Sequence, residues 1–168
     1  MNENSLPQMP AINTWLTQAT NELNKLHIAS ARLDAELILA HTLRKPRTYL
    51  HAHDNEHMSE QQQAIADSRL QLRLDRVPIA YILGHKEFYG RNFNVTPATL
   101  IPRPESEDII SILKDTLPQS ISLLPSSKKL VDVGTGTGCL GITAKREVHE
   151  LDVTLVDGST QALKIAKR

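Results

Sequence analysis

The chain has 168 residues, of which 40% are hydrophobic and 23% are charged, a composition typical of a soluble globular protein with one ordinary domain or two small ones. Nineteen basic and nineteen acidic residues cancel, which argues against a nucleic-acid backbone or an anionic membrane as the main partner. The one cysteine, Cys139, cannot form an internal disulfide. Because the sequence has neither the layout of a secretion signal nor an apolar run of membrane-spanning length, we expect a cytoplasmic protein.

The first half of the sequence is predicted to form a small helical bundle that ends at about Val77. Apolar residues recur at helical spacing between Ile12 and Leu26. A second run has an apolar face of its own, marked by Leu33, Leu37, Ala40 and His41. Since a helix with one apolar face must bury that face, these segments are expected to pack against each other.

A further helix of this half is predicted to begin at Ser59, because Ser59 and Gln62 have the spacing of a capping box. Three arginines are expected to form a basic stripe, interpreted as a solvated face with contact to a protein partner as the alternative: Arg69, Arg73 and Arg76. The histidine-rich segment before it, residues 51–57, is interpreted as a polar loop rather than a metal site, since it lacks the fixed ligand spacing of known sites.

The middle of the chain, residues 78–104, is predicted to form a hairpin and a rigid linker. The hairpin turns near Gly90, and prolines stiffen the stretch from Pro97 to Pro104. A helix is predicted from Glu105 to Leu117. A polar connection from Ser120 to Lys129 then leads to two β-branched strands.

A glycine-rich turn directly after the first of these strands is the most informative part of the sequence. Residues 130–138 read Leu-Val-Asp-Val-Gly-Thr-Gly-Thr-Gly. Glycine lets the backbone adopt a positive φ and come close to a ligand, and the amides of the following helix can meet polar ligand atoms. The second strand ends at Asp157, about 20 residues beyond the glycines, where a ribose-binding carboxylate belongs. The sequence therefore predicts a nucleotide-type cofactor site.

Two cofactor classes compete for this turn, and a purely structural glycine turn is a third interpretation. Residues 136–141 satisfy the G-x-G-x-x-G string of dinucleotide enzymes, but a lone match of that string is weak. The register Asp-x-Gly-x-Gly-x-Gly over residues 132–138 instead resembles motif I of S-adenosylmethionine methyltransferases, whose cationic ligand suits a nearby carboxylate. The methyltransferase interpretation is favoured, and its expected cofactor-binding residues are Asp132, Gly134, Thr135, Gly136, Thr137, Gly138 and Asp157.

Three further segments are similar to the protein N5-glutamine methyltransferases that modify peptide-chain release factors. Residues 34–41 read Asp-Ala-Glu-Leu-Ile-Leu-Ala-His, and residues 78–84 read Pro-Ile-Ala-Tyr-Ile-Leu-Gly. Residues 96–105, Thr-Pro-Ala-Thr-Leu-Ile-Pro-Arg-Pro-Glu, carry the most specific likeness. With the glycine turn and Asp157 they make four matches in the order of the family, so the likeness runs from about Leu33 to the end of the chain.

The resemblance implies both a fold and a function. Residues 1–77 correspond to the family's helical, substrate-engaging domain, and residues 105–168 to the start of an α/β, Rossmann-like methyltransferase domain. The implied cofactor is S-adenosylmethionine, and the implied partners are release factors rather than membranes or nucleic acid; no metal is expected. Three residues are expected to line the substrate side of the site: Arg103, Pro104 and Glu105.

One departure from the family is serious. The family continues with an Asn-Pro-Pro-Tyr motif that orients the substrate glutamine amide, and this motif does not occur in the 168 residues. The sequence stops inside an amphipathic helix without a glycine or asparagine stop signal, so we expect a truncated chain that holds no catalytic residue and is inactive alone. Two alternatives stay open: a DNA or RNA adenine methyltransferase, and a non-catalytic protein-binding fragment.

Overall fold

Residues 9–121 and 128–168 are described by a computed structural model, apart from the side chains of residues 118–121. The chain divides into two units, residues 1–83 and 84–168, and each unit has a hydrophobic core of its own. The predicted end of the helical half, at about Val77, precedes this division. Residues 79–83 form a short helix whose Ile79 packs against the core of the first unit.

Five helices make up the described part of the first unit: α1 (Ile12–Lys25), α2 (Ala31–Leu43), α3 (Arg47–Ala52), α4 (Glu60–Leu74) and α5 (Ile79–Leu83). Helix α2 contacts the other four. The apolar stripe predicted for α1 is confirmed, since Trp15, Leu16 and Leu23 are all buried. The capping box at the start of α4 is also confirmed: Gln62 N donates to Ser59 Oγ, and Ser59 N donates to Gln62 Oε1.

The central position of α2 changes which of its residues are buried. Leu33 is 42% exposed, so its predicted place on the buried face is wrong. The helix buries small and branched apolar residues on several sides, because neighbours surround it. It also buries two carboxylates, Asp34 and Glu36, which are 2% and 4% exposed.

Arginines neutralise these two carboxylates. Arg73 Nε donates to Asp34 Oδ2 at 2.7 Å, while Arg47 and Arg32 both donate to Glu36. Burial opposes the ionisation of Glu36, but the hydrogen bonds from Arg47 and Arg32 outweigh it and hold the pKa of Glu36 below its usual value. A buried carboxylate needs such partners, since transfer of an unpaired charge out of water is very costly.

The predicted solvated face is wrong for Arg69 and Arg73, which are half-buried, whereas Arg76 is exposed as predicted. Arg73 binds Asp34, Arg69 Nη1 donates to Thr42 Oγ1 at 2.8 Å, and Arg76 Nη2 donates to the carbonyl oxygen of Leu26 at 3.0 Å. Each of these arginines reaches a residue outside α4, so together they bind the helices of the first unit to each other.

The histidine-rich segment, residues 51–57, contains the last two residues of α3 and the turn after it. The His53 ring stacks on Tyr49 with its centroid 3.9 Å away, and the Tyr49 hydroxyl donates to Glu56 at 2.6 Å. This hydrogen bond to Glu56 raises the pKa of Tyr49. Within residues 9–121 and 128–168, no group of three or more histidine, cysteine or acidic side chains is placed to hold a metal ion.

The second unit begins with a β-hairpin. Strands β1 (His85–Phe88) and β2 (Arg91–Asn94) pair antiparallel through a two-residue turn, so the predicted hairpin is confirmed. Both turn residues, Tyr89 and Gly90, have a positive φ, of 52° and 73°. Turns of this kind match the twist of the strands they connect.

A 3₁₀ turn (Pro104–Ser106) leads into α6 (Glu107–Ile121). The observed helix therefore continues beyond Leu117, where the predicted helix ended. Glu105, the first residue of the predicted helix, belongs to the 3₁₀ turn that begins at Pro104. Most of the predicted connection from Ser120 to Lys129 lies outside the described residues. No helix in the described ranges is long and apolar enough to cross a bilayer.

A parallel strand pair completes the second unit. Its elements are β3 (Lys129–Val133), α7 (Cys139–Glu147), β4 (Asp152–Val156) and α8 (Thr160–Ala166). The pairing runs from Lys129 opposite Asp152 to Val133 opposite Val156. Leu130 and Val153 pack on the core beneath α6 and α7, whereas the opposite face of the pair is exposed at Val131, Val133 and Val156.

We predict that Asp34→Ala destabilises the first unit by about 3 kcal/mol, because it leaves the Arg73 guanidinium inside the bundle without its carboxylate. Urea unfolding followed by the fluorescence of Trp15 measures this change. Asp75→Ala, which removes an exposed carboxylate at the end of α4, is the control and should change stability by less than about 0.5 kcal/mol. Equal effects of the two variants would contradict a stabilising role for the buried pair.

Candidate cofactor site

The turn between β3 and α7 depends on three glycines in the left-handed region. Gly134, Gly136 and Gly138 have φ values of 75°, 56° and 80°, which only glycine adopts without strain. A Cβ added at Gly134 would meet no atom within 4 Å. The outer side of the turn is therefore open, as a ligand that approaches the backbone requires.

The end of β4 anchors this turn. The backbone N–H groups of Gly134 and Thr135 both donate to the carbonyl oxygen of Val156, at 2.7 and 3.0 Å. Gly138 N then donates to the Thr135 carbonyl oxygen at 2.8 Å. The turn is thus held at the carboxyl end of the parallel pair, which is where open α/β sheets bind ligands.

Asp132 links the turn to the start of α7. Its Oδ2 accepts hydrogen bonds from Thr135 Oγ1 at 2.7 Å and from Gly141 N at 3.0 Å. Asp132 is also predicted to face the cationic part of a ligand, and its other oxygen, Oδ1, is the atom left for that contact. Since each carboxylate oxygen has two lone pairs, Oδ1 can still serve a ligand while Oδ2 holds the turn.

Gly141 is a residue of the site that the sequence interpretation missed. A Cβ at this position would lie 2.3 Å from Leu155 Cδ2 and 3.1 Å from the Cβ of Asp132, so any larger residue at 141 would require the Leu155 side chain to move and α7 to shift away from β3. The sequence did contain a signal for this role: Gly141 is the last glycine of the G-x-G-x-x-G pattern over residues 136–141, and that glycine allows close packing of a helix on a strand.

Asp157 lies beside the glycine turn. Its Oδ2 accepts from Gly136 N and its Oδ1 accepts from Ser159 N, both at 2.8 Å. These backbone hydrogen bonds, from Ser159 and then Gly136, hold the pKa of Asp157 below its usual value. Asp157 is therefore ionised at neutral pH, and its remaining lone pairs can accept from a pair of hydroxyl groups.

The other expected residues are placed as follows. Thr135 and Thr137 are buried within the turn, and Thr137 Oγ1 accepts from Cys139 N. Arg103, Pro104 and Glu105 are exposed where the chain enters α6. Among the described residues, no hydrogen bond or ion pair joins these three to the glycine turn, so their place at the substrate side stays a prediction.

We predict that Gly141→Ala destabilises the second unit by about 2 kcal/mol, because the new methyl group must push Leu155 and Asp132 away from α7. Hydrogen exchange of the β3 and β4 amides measures the change. Gly158→Ala is the matched control: its Cβ would meet no atom within 4 Å, and its φ is not positive. If the amides of β3 and β4 exchange hydrogen at the same rate in both variants, the packing argument is wrong.

The lowered pKa of Asp157 predicts how the turn responds to acid. The stabilisation from the Asp157 carboxylate is fully present above its usual pKa of about 3.8, and it is lost as the pH falls through the lowered folded-state value. We therefore expect Asp157→Asn to reduce the protection of the Gly136 amide at pH 7, with wild type approaching the variant in acid. Asp152→Asn, at an exposed position of β4, should leave Gly136 protected at pH 7.

Known proteins match both units of the chain. Residues 14–84 match the family model of the PrmC N-terminal domain, and residues 109–168 match that of the methyltransferase small domain. The release factor glutamine methyltransferase of Koribacter versatilis is 39% identical over 149 residues, which cover 89% of this chain and 51% of that protein.

Two other relatives agree with this match. The release factor glutamine methyltransferase of Aliivibrio fischeri is 36% identical over 157 residues, which cover 94% of this chain and 53% of that protein. A bifunctional methyltransferase of Rickettsia felis is 31% identical and is covered to 34% of its length. The chain thus spans about half the length of the release factor glutamine methyltransferases it matches.

These matches confirm the resemblance, and they confirm the fold class: a helical domain followed by an incomplete, Rossmann-like α/β methyltransferase domain. The methyltransferase domain and the methyltransferase relatives imply S-adenosylmethionine as the methyl donor. From its two matched domains and its relatives, the chain is similar to the release factor glutamine methyltransferases along both of its units.

Proposed function

We propose that the whole protein transfers a methyl group from S-adenosylmethionine to the glutamine side-chain amide in the Gly-Gly-Gln motif of peptide-chain release factors. The observation that carries this proposal is the hydrogen bond between Asp157 and Gly136, which brings an ionised carboxylate to the open glycine turn. The substrate is inferred from the names of the relatives, two release factor glutamine methyltransferases of which the chain spans about half the length.

The residues of this chain supply the cofactor half of the site. S-adenosylmethionine, when bound, provides a methyl group on a cationic sulfonium. Asp157 accepts hydrogen bonds from the ribose hydroxyls, and the glycines at 134, 136 and 138 let the backbone approach the ligand. Asp132 holds the turn in place and adds a negative charge that favours a cationic ligand.

The substrate half of the site needs residues beyond these 168. An amide nitrogen is a poor nucleophile, because its lone pair is delocalised into the carbonyl group. Hydrogen-bond acceptors must hold the amide protons and direct the nitrogen at the methyl group, so catalysis is chiefly positioning and electrostatics. Arg103, Pro104 and Glu105 contribute to the substrate side, while the Asn-Pro-Pro-Tyr acceptors of the family do not occur in this sequence.

The first test is cofactor selectivity. We expect the chain to bind S-adenosylmethionine weakly and in preference to NAD, measured by parallel calorimetric titrations. Gly136→Val should abolish binding, because the side chain forbids the φ of 56° and occupies the open side of the turn. Gly90→Val carries a similar backbone strain in the hairpin and should retain binding. A clear preference for NAD would overturn the cofactor assignment.

The second test is methyl transfer. We expect no transfer to a release factor by the chain alone, and transfer to the glutamine of Gly-Gly-Gln by a protein extended through an Asn-Pro-Pro-Tyr segment. Mass spectrometry of the release factor locates the added methyl group. Methylation of adenine in DNA or RNA by the extended protein would favour the adenine methyltransferase instead. Release-factor binding without turnover by the extended protein would favour a non-catalytic binding role.

A further inference from the structure

Glu147, the last residue of α7, joins three elements of the second unit. Its side chain is 16% exposed and accepts hydrogen bonds from Lys114 Nζ of α6 and Arg91 Nη2 of β2, each at 2.6 Å. The bond from Lys114, and then the bond from Arg91, hold the pKa of Glu147 below its usual value. The carboxylate is therefore ionised at neutral pH, and both hydrogen bonds are charge-assisted. We call these three residues the Glu147 clamp.

The turn of the hairpin is bound to the same clamp through Tyr89. Its hydroxyl accepts from Lys114 Nζ at 3.4 Å, and the same Nζ lies 5.5 Å from the centroid of its ring. Its carbonyl oxygen accepts from Arg91 Nη1 at 3.1 Å, and its backbone N–H donates to Glu107 Oε1, at the start of α6, at 3.0 Å. The hairpin turn, α6 and the end of α7 thus form one network.

Tyr89 occupies a turn position that suits another residue better. Its φ of 52° lies in the left-handed region, and two-residue hairpin turns of this kind favour Asn-Gly. Asparagine would reduce the backbone strain, but it lacks the ring and the hydroxyl that meet Lys114. A strained residue is a reason to look for a function of the contacts that its side chain makes.

The network holds both ends of the segment that connects β2 to α6, residues 95–106. Strand β2 leads into this segment and α6 follows it, and the Glu147 clamp binds a side chain of each. Within the segment, Val95, Thr99 and Pro102 are buried and anchor it to the second unit. Residues 103–105, which are expected at the substrate side, lie at its end. Their position therefore depends on the network.

Helix α7 connects this network to the cofactor side. It begins directly after Gly138 of the glycine turn and ends at Glu147, and its nine residues span roughly 13 Å. Asp132 binds the start of this helix, while Glu147 binds the elements that flank residues 95–106. The two expected halves of the site are therefore connected through opposite ends of one helix.

We propose that Glu147 is a positioning residue of the methyl-transfer site: it fixes residues 103–105 relative to the glycine turn without touching cofactor or substrate. This inference rests on the proposed function, since it assigns a role in the same reaction. A residue that only stabilises the fold would change the amount of active protein. A positioning residue on the substrate side changes the KM for the substrate instead.

Hydrogen exchange of the 168-residue chain tests whether Glu147 holds the segment. Glu147→Gln keeps the shape of the side chain but removes its charge, so the hydrogen-bonded amides of Tyr89 and Ser106 should exchange about tenfold faster. The Gly136 amide should keep its rate. Glu150→Gln, at an exposed carboxylate in the turn after α7, is the matched control and should leave all three rates unchanged. Equal acceleration of all three amides by Glu147→Gln, or none, would overturn the proposal.

Steady-state kinetics of the extended protein of the methyl-transfer test measure the effect on the reaction. Glu147→Gln should raise the KM for the release factor about tenfold, and should change kcat and the KM for S-adenosylmethionine by less than about twofold. Glu150→Gln should match the wild type. A lower kcat at an unchanged KM for the release factor would show a loss of folded protein and would overturn the positioning role.

Tyr89→Asn is a second variant that decides the matter even if Glu147→Gln does not fold. Asparagine suits the positive φ of the turn, while the contacts with Lys114 are lost, so the KM for the release factor should again rise. A wild-type KM in folded Tyr89→Asn would overturn the proposal. If the wild-type extended protein does not methylate Gly-Gly-Gln, the proposed function and this inference fall together. If it does, and the folded variants keep the wild-type KM, only the positioning role falls.

Discussion

One carboxylate oxygen, Oδ2 of Asp132, determines how the glycine turn meets the helix that follows it. Alternation along β3 directs Asp132 to the same face as Leu130, beneath α7. A charge on that face would be costly without donors, and the start of α7 offers backbone N–H groups that lack helical partners. Gly141 N and Thr135 Oγ1 supply the donors. Asp132 therefore fixes the glycine turn between the end of β3 and the start of α7. In this position the outer side of the turn stays open.

In the first unit, side chains rather than backbone N–H groups provide the hydrogen-bond donors for buried carboxylates. Helix α2 lies among four others and buries Asp34 and Glu36, so each carboxylate needs cations from outside its own turn of helix. Arg73 of α4 and Arg47 of α3 provide them. Arg44, Lys45 and Arg69, in contrast, form no ion pair with any described carboxylate.

Features set by a few neighbouring residues could be predicted from the sequence. The capping box at Ser59, the hairpin at Gly90 and the glycine turn each depend on local backbone preferences. Leu33 and Arg73 could not be placed in the same way, because their surroundings are set by helices far away in sequence. Of the candidate site, Asp157 could be placed from its distance along the chain, whereas the close packing at Gly141 depends on Leu155 of another strand.

The uncovered face of the parallel pair affects how the chain behaves at high concentration. Val133 is 78% exposed and Val131 is 58% exposed, and both stand on one side of a strand whose only pairing partner among the described residues is β4. Apolar surface next to a strand edge promotes self-association. A charged side chain in place of Val133 would lower that tendency without touching the core on the other face, and so offers a route to samples concentrated enough for spectroscopy.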